Sequence, residues 1–298
     1  MYNIIGRRKI FFIISIILCG LSVISLAIWG LRPSIDFTGG TLMELEFAQR
    51  PENQVLKTEL NALGLESMII QSTDQQGIII RAKEIDETKH QQVLTVMREK
   101  FSLIEERRFT TIGPIIGREL TNKATWAIVL VVLAIILYIT WAFRKLSSLS
   151  RKSNSWQYGL GAIVALFHDV LIISGIFSVL GHFCGVEVDT AFIVAILTVL
   201  GYSVNDTIVV YDRIRENLLK YRKRELTDNL NNSVNEIIIR SLNTSITTFL
   251  VLLAVYVFGS LIIRHFILAL MLGVIIGTYS SIFIASPLLL IWQRHPKH

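Results

Sequence analysis

Six long apolar stretches divide this chain at about residues 10–31, 124–143, 158–180, 190–211, 243–263 and 266–292, and they constrain its fold more than any other feature. A helix rising 1.5 Å per residue needs about 20 such residues to cross a hydrocarbon core of roughly 30 Å. Of the 298 residues, 52% are hydrophobic and 17% charged, against about 25% charged in soluble domains. The class is therefore an α-helical membrane protein with six transmembrane helices. Arg7-Arg8-Lys9 and the apolar run that follows have the layout of a secretory signal. That run is about 22 residues long, whereas a signal's apolar core is ~7–15, so it reads as an uncleaved first span.

The basic residues orient the spans. In the short loops one side receives sixteen Lys and Arg, from Arg7, Arg8 and Lys9, through Arg144–Lys152 and Arg213–Arg240, to Arg294 and Lys297. The other side receives Arg264 alone. Basic residues mark the cytoplasmic face, so both termini are expected in the cytoplasm. The formal net charge of +6 thus belongs to span flanks and does not call for a nucleic-acid partner. Cys19 and Cys184 sit in separate regions, so no disulfide is expected between them.

Residues 32–120 differ in kind, being polar and charged without a spanning run. Thr41–Phe47 alternates apolar and polar residues, as a half-buried strand does. Pro51–Leu63 reads as a helix with Val55, Leu56, Leu60 and Leu63 on one side, stopped by Gly64. Met68–Gln71 and Ile78–Ala82 read as strands around a hairpin at residues 73–77, Asp86–Phe101 as a second helix and Glu105–Ile112 as a last strand. The order βαββαβ predicts a small α+β ferredoxin-like domain between the first and second transmembrane helices. The division is then 1–31 for the N-terminus and first span, 32–120 for the α+β domain, and 121–298 for a five-helix transmembrane domain. Loops are expected at 144–156 and 212–240, the latter with a weakly amphipathic surface helix.

Three positions carry candidate chemistry. Asp206, beside Asn205, lies inside the fourth span, six residues before its charged end at Asp212. A carboxylate there costs at least ~2.5–3.5 kcal/mol on insertion scales and commonly marks a relay or a counter-ion. Burial favours the protonated form of a carboxylic acid and a nearby cation the ionised form; a relay needs the two in balance. Arg240 opens the antiparallel fifth span on the same side and is the expected cation, within the polar entry Asn243, Thr244, Ser245, Thr247 and Thr248. His168-Asp169 is the deepest ionisable pair, serving either as a second relay station or as a structural lock between helices. In the sixth span Ala269, Gly273, Gly277, Ser281 and Ala285 recur every fourth residue, a pattern that lets helices pack closely. No P-loop, no Ser–His–Asp order and no zinc motif is present, so no enzyme activity is expected.

Several segments together resemble the SecF subunits of the bacterial Sec protein translocase, within the resistance-nodulation-division superfamily. They are Asp36-Phe-Thr-Gly-Gly-Thr41, Gly113-Pro-Ile-Ile-Gly-Arg-Glu-Leu120, His168-Asp169, Gly201–Asn217 and Arg240-Ser-Leu-Asn-Thr244. The resemblance implies a multi-pass protein of the bacterial inner membrane that pairs with SecD, with residues 32–120 in the periplasm. It implies work beside the SecYEG channel, with YajC and YidC as further associates, on unfolded preprotein. Protons are the implied coupling ion, Asp206 and Arg240 the implied proton-pathway residues, and no cofactor is implied. Two other readings stay open at this point: a proton-driven small-molecule or lipid exporter of the same superfamily, and a passive scaffold of the translocase.

Overall fold

The computed structural model describes residues 2–65, 68–72, 76–142, 155–221, 223–260 and 263–293. The expected loop at 144–156 and the tip of the expected hairpin at 73–77 fall largely outside them. The chain divides into two compact units, one formed by Met1–Arg32 with Trp126–His298 and the other by Pro33–Thr125.

The Pro33–Thr125 unit begins with a short helix, Ile35–Thr38, followed by strand β1 (Gly40–Phe47), a longer helix (Asn53–Ala62), β2 (Ile69–Ser72), β3 (Gly77–Ala82), a further helix (Glu87–Phe101) and β4 (Leu103–Ile112).

 Numbered in chain order, the helices of this unit are α2 (Ile35–Thr38), α3 (Asn53–Ala62) and α4 (Glu87–Phe101), since α1 (Arg8–Ile28) precedes them. The four strands form one antiparallel sheet in the order β2-β3-β1-β4. The alternation in β1 sends Met43, Leu45 and Phe47 to the buried face, where they meet Leu56 and Leu60 of α3 and Val93 and Met97 of α4. Val55, expected on the apolar side of α3, is exposed; one residue turns a helix by about 100°, and Leu56 takes the inward position. Asp86 caps α4 by accepting from the Lys89 amide at 2.8 Å. His90, on the buried face of α4, bonds Glu106 of β4 at 2.7 Å and stacks on Phe109, ring centres 3.7 Å apart. Gly39 and Gly40 have φ of +72° and +123°, and a Cβ on Gly40 would lie 2.7 Å from the Ala82 carbonyl, so the backbone there admits only glycine without strain.

The other unit holds α1, the part of α5 (Pro114–Ala142) from Trp126 onward, α6 (Ser155–Cys184), α7 (Thr190–Lys220), α8 (Leu226–Phe258) and α9 (Arg264–Ser280). A π-helical turn, Ser281–Ala285, joins α9 to α10 (Ser286–Gln293). Among the described residues, six helices are long and apolar enough to cross a membrane. Most of the buried core lies on α6 and α7, with Phe177, Phe192, Val199 and Tyr211 inside it, and Ile282 of the π turn joins them. Helices α1, α5 and α8 expose long apolar faces, including Ile16, Leu137 and Val251, as suits contact with lipid or with another spanning helix.

Small residues set the spacing. A Cβ on Gly273 would meet Val199 at 2.0 Å and one on Gly277 would meet Ser203 at 2.9 Å, so α9 lies directly on α7. Likewise a Cβ on Gly175 of α6 would meet Ser22 of α1 at 2.3 Å, and Ser25 donates to the Gly175 carbonyl at 2.9 Å.

The stretch 212–240, expected as a loop with a surface helix, is instead the ends of two long helices. Helix α7 continues to Lys220 and α8 starts at Leu226. The cause is packing: Leu230, Val234 and Ile237 of α8 join Ile214 and Leu218 of α7 in the core. Asn217 adds a bond to Ser233 at 2.9 Å and another to Glu236 at 2.9 Å. Asn231 and Asn235, one turn apart on α8, also hold the backbone of Tyr2, Ile4 and Ile5.

Candidate functional site

Asp206 lies about 24 Å along α7 from Thr190, at 1.5 Å per residue. It is half-buried. One carboxylate oxygen, Oδ1, accepts a hydrogen bond from Ser241 of α8. The other, Oδ2, is buried with no hydrogen-bond partner among the described residues. Ser241 belongs to a run of hydroxyls: Ser245 donates to the Ser241 carbonyl at 2.9 Å, meets Thr278 of α9 at 2.5 Å and receives Tyr202 of α7 at 3.2 Å.

Arg240 is not the partner of Asp206. It is exposed, and no ion pair joins the two among the described residues. The reason is helical phase. Ser241 is buried against α7, and the preceding residue points about 100° away. Asn205, one residue before Asp206, is likewise exposed.

Asp169 occupies a different cluster. It is fully buried in α6. Its Oδ2 accepts Ser203 of α7 at 2.6 Å and Ser280 of α9 at 2.9 Å, while Oδ1 faces His168 Nδ1 at 3.0 Å. His168 Nε2 meets Ser15 of α1 at 3.1 Å, and its ring stacks on Tyr279. Four helices thus converge on the pair. Hydrogen bonds to a charged group are worth about 1.5–3 kcal/mol each, which offsets much of the cost of burying it.

No hydrogen bond joins Asp169 directly to Asp206 among the described residues. What joins their clusters is the end of α9, where Thr278, Tyr279, Ser280 and Ser281 each reach a different helix. Thr278 meets Ser245 of α8, and Tyr279 donates to the Phe11 carbonyl of α1 at 2.9 Å. Ser280 donates to Asp169 of α6, and Ser281 meets Thr207 of α7 at 2.8 Å. Steps of about 100° per residue make this possible. The π turn begins at Ser281 and loosens the helix ladder. Within it the Ala285 carbonyl accepts from Tyr211 at 3.2 Å. Sequence reading placed Ser281 in a packing stripe and passed over Thr278, Tyr279 and Ser280. Four successive hydroxylated residues in an apolar span are the signal that could have found them.

A cavity of about 320 Å³ opens between α8 and α9, lined by apolar side chains such as Leu242, Phe249, Ile275 and Phe283. Ser245, Thr278 and Tyr279 also line it. Polar groups on α7 and α8 face outward as well. Thr198, Gly201 and Asn205 lie exposed along α7, and Arg240, Asn243, Thr244 and Thr247 along α8. Their spacings of three and four residues put each set on one helix face. Among the described residues no group of three or more His, Cys, Asp or Glu could hold a metal ion.

A family model described as protein export membrane protein SecD/SecF, C-terminal, matches residues 92–295, and one described as the SecD/SecF GG motif matches residues 24–49. The chain is 40% identical to a protein translocase subunit SecF of Thermobaculum terrenum, over 99% of this chain and 95% of that one. It is 35% identical to the SecF subunit of Haemophilus influenzae, over 93% of this chain and 82% of the relative. Among solved structures, it is similar to a crystal structure of SecDF, a translocon-associated membrane protein, from Thermus, at a TM-score of 0.86 and 31% identity. A SecDF structure in a super-membrane-facing form matches at a TM-score of 0.70 and 30% identity. These matches cover 99% and 98% of this chain but 39% of either SecDF chain.

Proposed function

This chain belongs to the SecD/SecF family of protein export membrane proteins, as a SecF-type accessory subunit of the Sec translocase, and from that premise we propose that it couples the proton gradient to protein export. The observation that carries this is Asp206. A carboxylate in a spanning helix, with one oxygen bonded to Ser241 and the other buried and without a hydrogen-bond partner among the described residues, is a group placed to gain and lose a proton.

SecD is the proposed partner, and the polar faces of α7 and α8 are where it docks. Asn205 and Arg240 would each be costly against hydrocarbon, whereas a neighbouring polar helix or a water path satisfies them; Thr198, Thr244 and Thr247 beside them bond the backbone of their own helices. Arg240 then meets its counter-charge on SecD. The distribution of Lys and Arg supports cytoplasmic termini in the inner membrane and a periplasmic Pro33–Thr125 unit. We infer that this unit is ferredoxin-like, since a βαββαβ order in an antiparallel β2-β3-β1-β4 sheet is the split βαβ arrangement. It handles unfolded preprotein leaving the SecYEG channel, with YajC and YidC as further associates. One charge crossing 100 mV releases about 2.3 kcal/mol, enough to bias a two-state helix contact.

The test is export with and without a proton gradient in an Asp206→Asn background. The proposal expects SecD to co-purify and the gradient-dependent part of export to vanish. Normal gradient dependence in that variant would leave a passive scaffold as the better reading.

A further inference from the structure

The Ser280 hydroxyl has one hydrogen and two acceptors. It lies 2.9 Å from Asp169 Oδ2 and 3.1 Å from the Gly277 carbonyl of its own helix. Ser203, the other donor to the same Asp169 oxygen, has no second acceptor among the described residues. The Gly277 carbonyl sits at a sensitive place. It also receives Ser281 Oγ at 2.8 Å and the Ser281 backbone N–H, at the step where α9 gives way to the π turn.

We propose that Ser280 is a positioning residue that reads the protonation state of Asp169 and passes it to the π turn of the last spanning helix. With Asp169 ionised, the Ser280 O–H donates to Oδ2. When the carboxylate takes up a proton on Oδ2, that oxygen gives up acceptor strength and presents a hydrogen of its own. The Ser280 O–H then rotates to the Gly277 carbonyl, so one hydrogen bond breaks and one forms with no covalent change in the serine. The contact between α9 and α6 weakens, and a third donor crowds the carbonyl that holds the first residue of the π turn. Ser281 and Thr278 on the same turn carry the change to α7 and to the Ser245–Ser241 hydroxyls beside Asp206.

The titratable groups around Asp169 are few. His168 faces it on its own helix, the Cys19 thiol from α1 and the Tyr279 phenol, stacked on His168, from α9; α7 contributes the Ser203 hydroxyl. None is a fixed cation that would hold the carboxylate ionised at all pH values. The inference deepens the proton-coupled reading of this subunit and rests on it for its purpose, but the hydroxyl switch itself can be measured separately.

Gly-Thr occurs in this sequence at 40–41 and 277–278. Protein labelled with carbonyl-¹³C glycine and ¹⁵N threonine, reconstituted in lipid with SecD, therefore gives two filtered carbonyl signals in solid-state NMR. One reports Gly40 at the start of β1 and the other reports Gly277. On titration the wild-type Gly277 signal is expected to shift while that of Gly40 stays, and Asp169→Asn should abolish the shift. Ser203→Ala removes a donor from the same oxygen yet should keep the shift, whereas Ser280→Ala should lose it. A Gly277 signal that is fixed in the wild type, or that moves equally in Ser280→Ala, overturns the proposal. Gradient-dependent export measured on the same variants separates the two readings. A Gly277 shift without any gradient dependence in the wild type keeps the switch and refutes the coupling.

Discussion

Ser241, and not its neighbour Arg240, gives Asp206 its hydrogen bond from the antiparallel helix. The two residues differ by one helical step, and that step assigns them different tasks. Ser241 faces inward and holds the carboxylate inside this subunit. Arg240 faces outward and is available to a second one.

Removing the Ser241 hydroxyl should therefore destabilise the subunit itself. A hydrogen bond to a charged group is worth about 1.5–3 kcal/mol, so Ser241→Ala is expected to lower the thermal midpoint in detergent measurably. Arg240→Ala should leave that midpoint within experimental error, because the side chain bonds nothing among the described residues. It should instead weaken co-purification with SecD. The reverse pattern would return Arg240 to the interior.

The contact of α9 with α7 predicts intolerance at Gly273. A Cβ there would sit 2.0 Å from Val199, a stiff β-branched side chain with little room to move. Gly273→Ala should cost about 1–3 kcal/mol as overpacking. Val199→Ala in the same chain should recover part of it. Thermal unfolding of the three variants in detergent checks this, and independent, additive effects would argue against the contact.

Much of this arrangement is legible in the sequence, and the boundary of legibility is physical. Span length follows from the bilayer, so the six helices stand out, and the alternation of Met43, Leu45 and Phe47 between Glu44 and Glu46 marks β1. Asp206 is visible because a carboxylate is anomalous in an apolar run. Its partner is not visible, since choosing between Arg240 and Ser241 depends on the rotation of α8 about its axis. The Thr278–Ser281 hub is hidden for another reason: hydroxyls are tolerated in spans by bonding their own backbone, so their sequence does not reveal which helices they reach. The ends of α7 and α8 were obscured by their charge, because Arg213, Glu216 and Glu236 pair on the outside of helices whose inner faces remain apolar.

In the Pro33–Thr125 unit, His90 fastens α4 to β4. His90→Ala would leave Glu106 without its 2.7 Å partner and Phe109 without its stacked ring. A loss of about 1–3 kcal/mol is expected for such a buried polar contact. Hydrogen exchange over residues 87–112 should rise while that of α6 and α7 stays unchanged. Uniform exchange in both units would contradict this.

The same helix start carries a pH dependence. The Gln91 amide, and then His90, hold the Glu87 carboxyl below the usual carboxylate range. A depressed carboxylate contributes stability that is complete above its unfolded value and fades as the pH falls through its folded one. Protection of the first turn of α4 should therefore persist at neutral pH and decline under acid, and Glu87→Gln should flatten that decline. The effect is small, since Glu87 is exposed to solvent.

The central claim concerns Asp206 and protons, and flux measures it most directly. In proteoliposomes holding this subunit with SecD, an imposed pH gradient is followed by an internal dye. The account predicts that the wild-type complex dissipates the gradient faster than empty vesicles, and that Asp206→Asn, with SecD still bound, returns the rate to the empty-vesicle level. Equal flux through Asp206→Asn and wild type would contradict it.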